Sequence, residues 1–221
     1  METKHKVLDK GFIEALDSLG NDLTVANSAR VSFGKRKKTY DKSDERLVHY
    51  LAKHKHFSPF RHLVVQFHIK APEFVMRQWY KHVVGAETTS SYSTKDHAWN
   101  EISGRYVPVE EYYIPENWRQ QSEDNKQASV GTIAQQEEAT ECYAKAIQVG
   151  KHYYEKLLEL GVAKEQARIV MPLSQYTEVY WTASFQAIVN YSIESLEKKN
   201  ETFYDSFKCL DITCIFTYIN K

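Results

Sequence analysis

Apolar and polar residues alternate along parts of the chain in the manner of β-strands. Val65, Phe67 and Ile69 fall on one side of residues 63–69, which predicts a strand with one buried face. Residues 176–182 are rich in β-branched and aromatic types, which favour strands. Two shorter strands are predicted, at residues 6–8 on a sheet edge and at residues 106–109.

Other segments carry the period and the end signals of helices. Leu47, Tyr50, Leu51 and His54 recur at helical spacing, and Gly161 fits the stop of a long helix. The chain turns polar after residue 115 as far as about residue 130, and it is mostly helical after residue 182. The predicted helices are residues 23–31 after Asp22 as N-cap, the segment around 47–54, one starting at Pro72 and Glu73, a long one up to Gly161, and residues 163–170 before Pro172.

Length and charge indicate an ordinary soluble protein of mixed α and β structure. The 221 residues suffice for a single domain, residues 1–221, with a real core. Lys+Arg and Asp+Glu balance at 29 each, so nothing indicates a nucleic-acid surface. No apolar run approaches the roughly 18 residues that span a bilayer. Three cysteines without a disulfide framework favour a reducing compartment, and we expect the cytoplasm.

Residues 99–106, Trp-Asn-Glu-Ile-Ser-Gly-Arg-Tyr, combine the groups that an anion-binding turn needs. Ser103 and backbone N–H groups can donate to phosphate oxygens, Gly104 permits close approach, and Arg105 adds a charged fork. Glu101, an acceptor only when ionised, suits a ribose hydroxyl or a ring N–H. A surface loop is the ordinary alternative. Upstream, however, a polar trio shares one face at the end of the predicted helix, which favours a nucleotide site: Gln78, Lys81 and His82.

Together these residues resemble the flavin-dependent thymidylate synthase family. Its signature is R-H-R, a short spacer and S-x-N-E-x-S-x-R-Y, preceded by a Q-W helix; Gln78-Trp79, His82 and residues 100–106 match it. Further matches follow in the family's order at residues 28–35, 56–60, 67–72 and 167–173. Several separate matches in order are far more specific than one short motif. The poorly matching part is a divergent C-terminal helical tail, residues 185–221.

The resemblance implies a fold and an activity. The fold is α+β, with a mixed, largely antiparallel sheet flanked by helices and a long helical segment. The activity is methylation of dUMP to dTMP, with FAD as cofactor, NADPH as reductant and 5,10-methylenetetrahydrofolate as carbon donor. Because the family forms homotetramers with sites shared between subunits, we expect a cytoplasmic homotetramer. Its partners are dUMP and folate, with no nucleic acid and no membrane.

The resemblance also assigns roles to residues of this chain. Ser58 belongs to a segment that holds FAD phosphates in the family, and Arg61 stands where the family often has Glu. Catalytic roles fall to Glu101, Arg105 and the position of Ser195. The dUMP-binding set is Gln78, Lys81, Glu101, Ser103, Gly104, Arg105 and Arg168, and the FAD-binding set is Ser58, Lys81, His82, Val83, Glu101 and Asn190.

Two departures from the family set this chain apart. The family's R-H-R becomes Lys81-His82-Val83, which keeps one charge, loses both guanidinium groups and resembles a K-H-x-V-G variant of phage-borne members. An insertion rich in Ser and Thr follows, and residues 86–98 are interpreted as a loop over the site. At the C-terminus, Ser195 aligns with the arginine that polarises the uracil ring, and no arginine follows Arg168.

Alternatives remain open for several of these residues. Arg168, among apolar neighbours, suits a structural ion pair, and Ser103 suits a nucleophile if His82 or His97 activates it. A metal at His54, His56 and His62 is disfavoured because no fourth ligand stands nearby, and we interpret Cys142, Cys209 and Cys214 as structural. The whole chain is alternatively a catalytically impaired relic that still binds flavin or nucleotide, or a scaffold that keeps only the fold.

Overall fold

A five-stranded antiparallel sheet forms the centre of the molecule in the computed structural model. The structure describes residues 4–80, 98–108, 110–126 and 128–197, with the backbone alone for 192–197. The strand order is β1-β2-β3-β7-β4, and every neighbouring pair is antiparallel. This confirms the predicted fold class. The five strands are β1 Lys4–Val7, β2 Gly11–Leu19, β3 Val64–Pro72, β4 Ala98–Glu101 and β7 Tyr176–Ser184, while β5 Arg119–Gln121 and β6 Ser129–Thr132 form a separate hairpin.

The alternation that predicted β3 also places the core. Val65, Phe67 and Ile69 are almost completely buried, and β7 pairs with β3 over its full length. Phe67 lies opposite Trp181 with ring centroids 5.8 Å apart. Burying three large side chains from the central strand contributes roughly 1.5–3 kcal/mol each, which makes β3 the anchor of the sheet.

Helices α1 (Asp22–Arg30) and α2 (Lys42–Lys53) lie together beside the sheet. Asn21, not Asp22 as predicted, is the N-cap of α1, because its side chain accepts from Thr24 N while the Thr24 hydroxyl accepts from Asn21 N. The two helices are joined by the buried carboxylate of Asp44 on α2, which forms an ion pair with Arg30 at the end of α1.

Helix α3 (Glu73–Trp79) and helix α6 (Phe185–Glu197) pack on the sheet through aromatic rings. Trp79 stacks on Tyr191 with centroids 4.6 Å apart and meets Trp181 edge-on at 5.5 Å. Pro72 is the N-cap residue of α3 and not its first helical residue, so the helix begins one residue later than predicted. The buried face of α3 consists of Val75, Met76 and Trp79.

Helix α4 (Gln136–Glu159) is the long helix that the sequence predicts. It ends before Gly161, whose φ of +83° is a conformation that favours glycine. The short helix α5 (Lys164–Ala167) continues into a 3-10 turn at Arg168–Val170, in agreement with the predicted short helix before Pro172. No helix in the described part of the chain is long and apolar enough to cross a membrane.

The strand predicted at residues 106–109 is wrong where the structure describes it. Tyr106 N and Val107 N both donate to the carbonyl oxygen of Ser103, at 2.9 and 3.1 Å, so a turn follows β4. Their side chains are exposed, and no strand among the described residues pairs with them to override that turn. Residue 109 and the residues 81–97, which include most of the predicted 86–98 loop, lie outside the described residues.

Candidate functional site

A polar cleft of about 740 Å³ opens where the end of β4, the start of β7, α3, α4 and the turn after α5 come together. Five residues predicted to bind the nucleotide line it: Glu101, Ser103, Gly104, Arg105 and Arg168. Arg168 is more than sixty residues away from the other four in the chain, so the folding of the sheet brings them together. β4 carries the first four to the sheet edge by pairing with β7, which the hydrogen bond from Ile102 N to Glu178 O (2.9 Å) extends.

The Ser103–Arg105 turn has the groups that an anion site needs. The Ser103 hydroxyl accepts from the backbone N of Arg105 at 3.3 Å and from its Nε at 3.2 Å, which holds the arginine side chain against its own turn. The terminal nitrogens of the guanidinium make no hydrogen bond to a described residue. A Cβ placed on Gly104 would have no atom within 4 Å, so the turn faces open space into which a ligand fits.

Two carboxyl groups, those of Glu73 and Glu101, lie on the same cleft wall. Glu101 is held by Thr177, whose hydroxyl donates to its Oε1 at 2.7 Å. Burial, together with the negative charge of Glu101, raises the pKa of Glu73 against the opposing effect of Arg168 and Arg77. Glu73 therefore carries a proton more readily than an ordinary glutamate.

Positive charge is supplied by four cations that form no ion pair with a described residue, and five glutamates line the cleft beside them. Arg168 opens the 3-10 turn after α5 and makes no ion pair with a described residue, contrary to the structural ion-pair interpretation. Arg77 on α3 and Lys151 on α4 also line the cleft, and the sequence did not single them out. A cleft with unpaired cations and directed N–H and O–H donors is suited to a phosphate group.

A second cavity, of about 620 Å³, lies between α1, α2, the 3-10 turn Ser58–His62 and α6. Its walls are mostly apolar, including Phe57, Phe60 and Val189, and Asn190 and Gln186 add amide groups. Ser58, predicted to hold FAD, is exposed at the start of that 3-10 turn. The structure thus brings the segment of Ser58 and the side chain of Asn190 to one cavity, which shares no lining residue with the cleft.

Arg61 contacts a residue that lines this second cavity. Its Nε donates to Oε1 of Gln186 at 2.6 Å, so the 3-10 turn and α6 are connected directly at the cavity. Phe185 N also donates to the Leu63 carbonyl at 2.7 Å, and Phe60 stacks near Phe185 with centroids 6.4 Å apart. These contacts fix the start of α6, and therefore the position of Asn190 on it.

Other predicted site residues are placed less completely. Gln78 is exposed at the end of α3 and does not line the cleft. The side chain of Ser195 is not described, although the backbone there is helical. Lys81, His82 and Val83 lie outside the described residues, as does His97, so their predicted roles and the activation of Ser103 stay predictions.

The described histidines and Cys142 form no metal site with one another. His54 and His56 have ring centroids 6.4 Å apart and contact Tyr50. Within the described ranges, no group of three or more His, Cys, Asp or Glu side chains is arranged to hold a metal ion. Cys142 is exposed on α4 and not in a disulfide, while Cys209 and Cys214 lie outside the described residues.

Sheet and cleft together define an α+β protein whose polar cleft, with its Ser103–Arg105 turn and Arg168, suits a small anionic ligand. Comparison with known proteins makes this specific. The family model described as "Thymidylate synthase complementing protein" matches residues 14–199. The chain belongs to this family, that of the flavin-dependent thymidylate synthases.

Individual relatives agree with the family match. A flavin-dependent thymidylate synthase of Thermosipho melanesiensis is 42% identical over 189 residues, covering 84% of this chain and 77% of the relative. One of Thermus thermophilus is 47% identical over 176 residues, covering 79% of this chain and 60% of the relative. Among solved structures, the UMP/dUMP methylase PolB from Streptomyces cacaoi, bound with 5-Br dUMP, matches with a TM-score of 0.69 and 27% identity, over 85% of this chain and 78% of that one.

Proposed function

We propose that this protein methylates dUMP to dTMP, with FAD as cofactor, NADPH as reductant and 5,10-methylenetetrahydrofolate as the carbon donor. The observation that carries the proposal is the cleft in which Glu101, Ser103, Arg105 and Arg168 meet, where neither arginine forms an ion pair with a described residue. Family membership, and relatives named flavin-dependent thymidylate synthases, supply the reaction class.

In this proposal the nucleotide phosphate lies at the turn. Its oxygens accept hydrogen bonds from the Ser103 hydroxyl, from the N–H of Gly104 and from the guanidinium groups of Arg105 and Arg168. Hydrogen bonds between charged groups, such as those from the two arginines, are the strongest of these. Glu101 accepts from a ribose hydroxyl or from a ring N–H, with Thr177 holding the carboxylate in place. Gln78 and Lys81 complete the proposed dUMP set.

The second cavity fits part of a flavin cofactor. Its apolar, aromatic walls suit a planar ring system, and the amides of Asn190 and Gln186 offer donors and acceptors at its edge. Ser58, Lys81, His82, Val83, Glu101 and Asn190 are the proposed FAD contacts. When bound, FAD supplies the redox chemistry by which the one-carbon unit becomes a methyl group. The chain itself binds, orients the uracil and excludes water.

The proposed site lacks the arginine that stabilises negative charge on the uracil ring in the family. Ser195 stands at the family's arginine position, and a preorganised donor of this kind typically contributes about 10²–10³ in kcat. A slow enzyme, or a relic that binds flavin and nucleotide without turnover, is the second candidate, and Ser195 is the observation that favours it. A pure scaffold is disfavoured, because it has no use for unpaired arginines in a cleft.

The separation of the two cavities supports a shared site. Flavin and uracil must touch for the reaction. Of the proposed FAD contacts, Asn190 lines the second cavity whereas Glu101 lines the cleft, so the cofactor has to reach both. We therefore propose that a complete site forms between subunits of a homotetramer, with the cleft of one subunit facing the FAD cavity of another. Cytoplasmic location is proposed with it.

Binding of the cofactor tests this function. Purified protein is titrated with FAD and, separately, with FMN, and the flavin absorbance and fluorescence are recorded. We expect FAD to bind and FMN to bind more weakly, because FMN lacks the adenosine phosphate that Ser58 is proposed to hold. A protein without any FAD signal would contradict the enzyme proposal and leave the scaffold.

A further inference from the structure

Lys151 is a cation of the cleft that no motif of the chain points to. We propose that Lys151 binds the phosphate group of the nucleotide together with Arg105 and Arg168. The inference rests on the proposed function, because it adds a residue to the same phosphate site. It concerns binding alone, so it is testable without turnover.

One face of α4 forms a wall of the cleft. Lys151, Tyr154 and Glu155 stand at i, i+3 and i+4 and therefore share a face of the helix. All three line the cleft, and Lys151 and Tyr154 are half-buried. The Lys151 side chain is therefore part of the cleft surface and not of the exposed face of the helix.

Gly150 holds this part of α4 against the segment that carries Arg168. It is the buried residue of α4, and a Cβ added to it would lie 3.1 Å from the Val170 carbonyl oxygen and 3.3 Å from Cδ of Pro172. Without a side chain, the helix backbone approaches the end of the 3-10 turn Arg168–Val170 closely. Lys151 is the next residue, so its position is set relative to the turn that begins with Arg168.

The environment of Lys151 differs from that of other lysines on the same helix. Lys145 and Lys156 are exposed and pair with Glu141 at 3.5 Å and Glu159 at 3.4 Å. Lys151, by contrast, is half-buried and makes no ion pair with a described residue. An i,i+4 pair with Glu155 is not formed, in keeping with the less favourable order of lysine before glutamate.

A bound phosphate accounts for this arrangement. Lys151, Arg105 and Arg168 line one cleft, and none of them forms an ion pair with a described residue, so each keeps N–H donors for a ligand. A nucleotide phosphate at neutral pH carries nearly two negative charges and accepts several hydrogen bonds. Lys151 then compensates for the guanidinium groups that the chain lacks at residues 81–83.

Isothermal titration of the full chain with FAD added tests the inference, using dUMP, deoxyuridine and inorganic phosphate as ligands. For Lys151→Gln we expect dUMP and phosphate to bind about ten-fold more weakly, with deoxyuridine unchanged. Lys151→Arg should keep most of the affinity. The matched control Lys145→Gln removes the same charge from the same helix outside the cleft and should bind all three ligands like the wild type.

Two results would overturn the inference: dUMP affinity that Lys151→Gln leaves unchanged, or an equal loss for dUMP and deoxyuridine, which would make Lys151 structural. Failure of the proposed function looks different. A wild type that forms no dTMP but binds dUMP more tightly than deoxyuridine, with the difference lost in Lys151→Gln, contradicts the activity and supports the phosphate site.

Discussion

At the scale of single residues, Arg105 and Arg168 decide whether the cleft binds a phosphate. Ser103 holds the Arg105 side chain against its own turn, and Arg168 is the first residue of a 3-10 turn. Neither arginine forms an ion pair with a described residue. Their guanidinium groups therefore keep N–H donors for the oxygens of a phosphate. Two such arginines on one cleft, beside the Ser103–Arg105 turn, favour an anionic ligand.

Removing either arginine should weaken the nucleotide and not the nucleoside. Arg105→Ala and Arg168→Ala each remove a charge-assisted hydrogen bond, so dUMP binding should weaken by about 1.5–3 kcal/mol, nearer the lower figure because both side chains are exposed. Deoxyuridine should bind as before. Calorimetric titration of both ligands measures this, with the exposed Arg46→Ala on α2 as control. Equal losses for dUMP and deoxyuridine would show that these arginines are structural.

Ser195 offers a gain-of-function prediction. If the missing arginine limits catalysis, Ser195→Arg should raise kcat by up to about 10²-fold while the affinity for dUMP changes little. Steady-state kinetics of dTMP formation separate the two parameters. Ser192→Arg on the same helix is the control and should not raise kcat. Unchanged turnover in Ser195→Arg would mean that another group already polarises the ring, and Lys198→Ala and Lys199→Ala then test the nearest cations.

At the scale of elements, predictions from sequence hold where one segment carries its own pattern. β3 was found because its alternation is unbroken. β2 was missed because its register shifts between Ala15 and Asp17, which interrupts the alternation. β4 has four residues and no apolar pattern, and it exists because β7 pairs with it. Tyr106 and Val107 show the converse, since their β propensity was overridden by a turn.

The candidate site divides in the same way. The Ser103–Arg105 turn and Arg168 could be predicted because motifs carry them. Glu73, Arg77 and Lys151 could not, because their side chains face the cleft only through the packing of α3 and α4. The contact between Gly150 and the Val170–Pro172 segment, for example, joins residues about twenty apart and leaves no local signal.

The junction of α1 and α2 should control stability in acid. Burial alone would raise the pKa of Asp44, but the backbone N–H of Asp41 and the charges of Lys37 and Arg30 outweigh it and lower that pKa. A carboxyl group with a lowered folded pKa stabilises the fold above its unfolded pKa of about 3.9 and ceases to do so as the pH falls through the folded value. We therefore expect the melting temperature of the wild type to fall below about pH 4.

Asp44→Asn tests that expectation. The variant should melt several degrees lower at pH 7, since Arg30 and Lys37 lose their shared carboxylate, and its melting temperature should depend less on pH in the acid range. Thermal unfolding followed by circular dichroism from pH 3 to pH 7 measures both effects. Asp124→Asn, in an exposed loop, is the control. An acid limb as steep in Asp44→Asn as in the wild type would place the acid-sensitive groups elsewhere.

At the scale of the whole molecule, one chain carries two cavities that share no lining residue. The cleft has the charges for a nucleotide, and the second cavity has the apolar walls for a ring system, but neither holds both. Assembly of subunits joins them in our proposal. Sequence similarity to flavin-dependent thymidylate synthases extends through both, since the family match spans residues 14–199.

The most direct test of the central proposal is dTMP formation by the purified wild type. The protein is incubated with dUMP, FAD, NADPH and isotopically labelled 5,10-methylenetetrahydrofolate, and labelled dTMP is quantified over hours. We predict slow formation of labelled dTMP that requires both FAD and NADPH and that Arg105→Ala reduces. No dTMP from either the wild type or Ser195→Arg, or equal amounts with FAD omitted from flavin-free protein, would contradict the account.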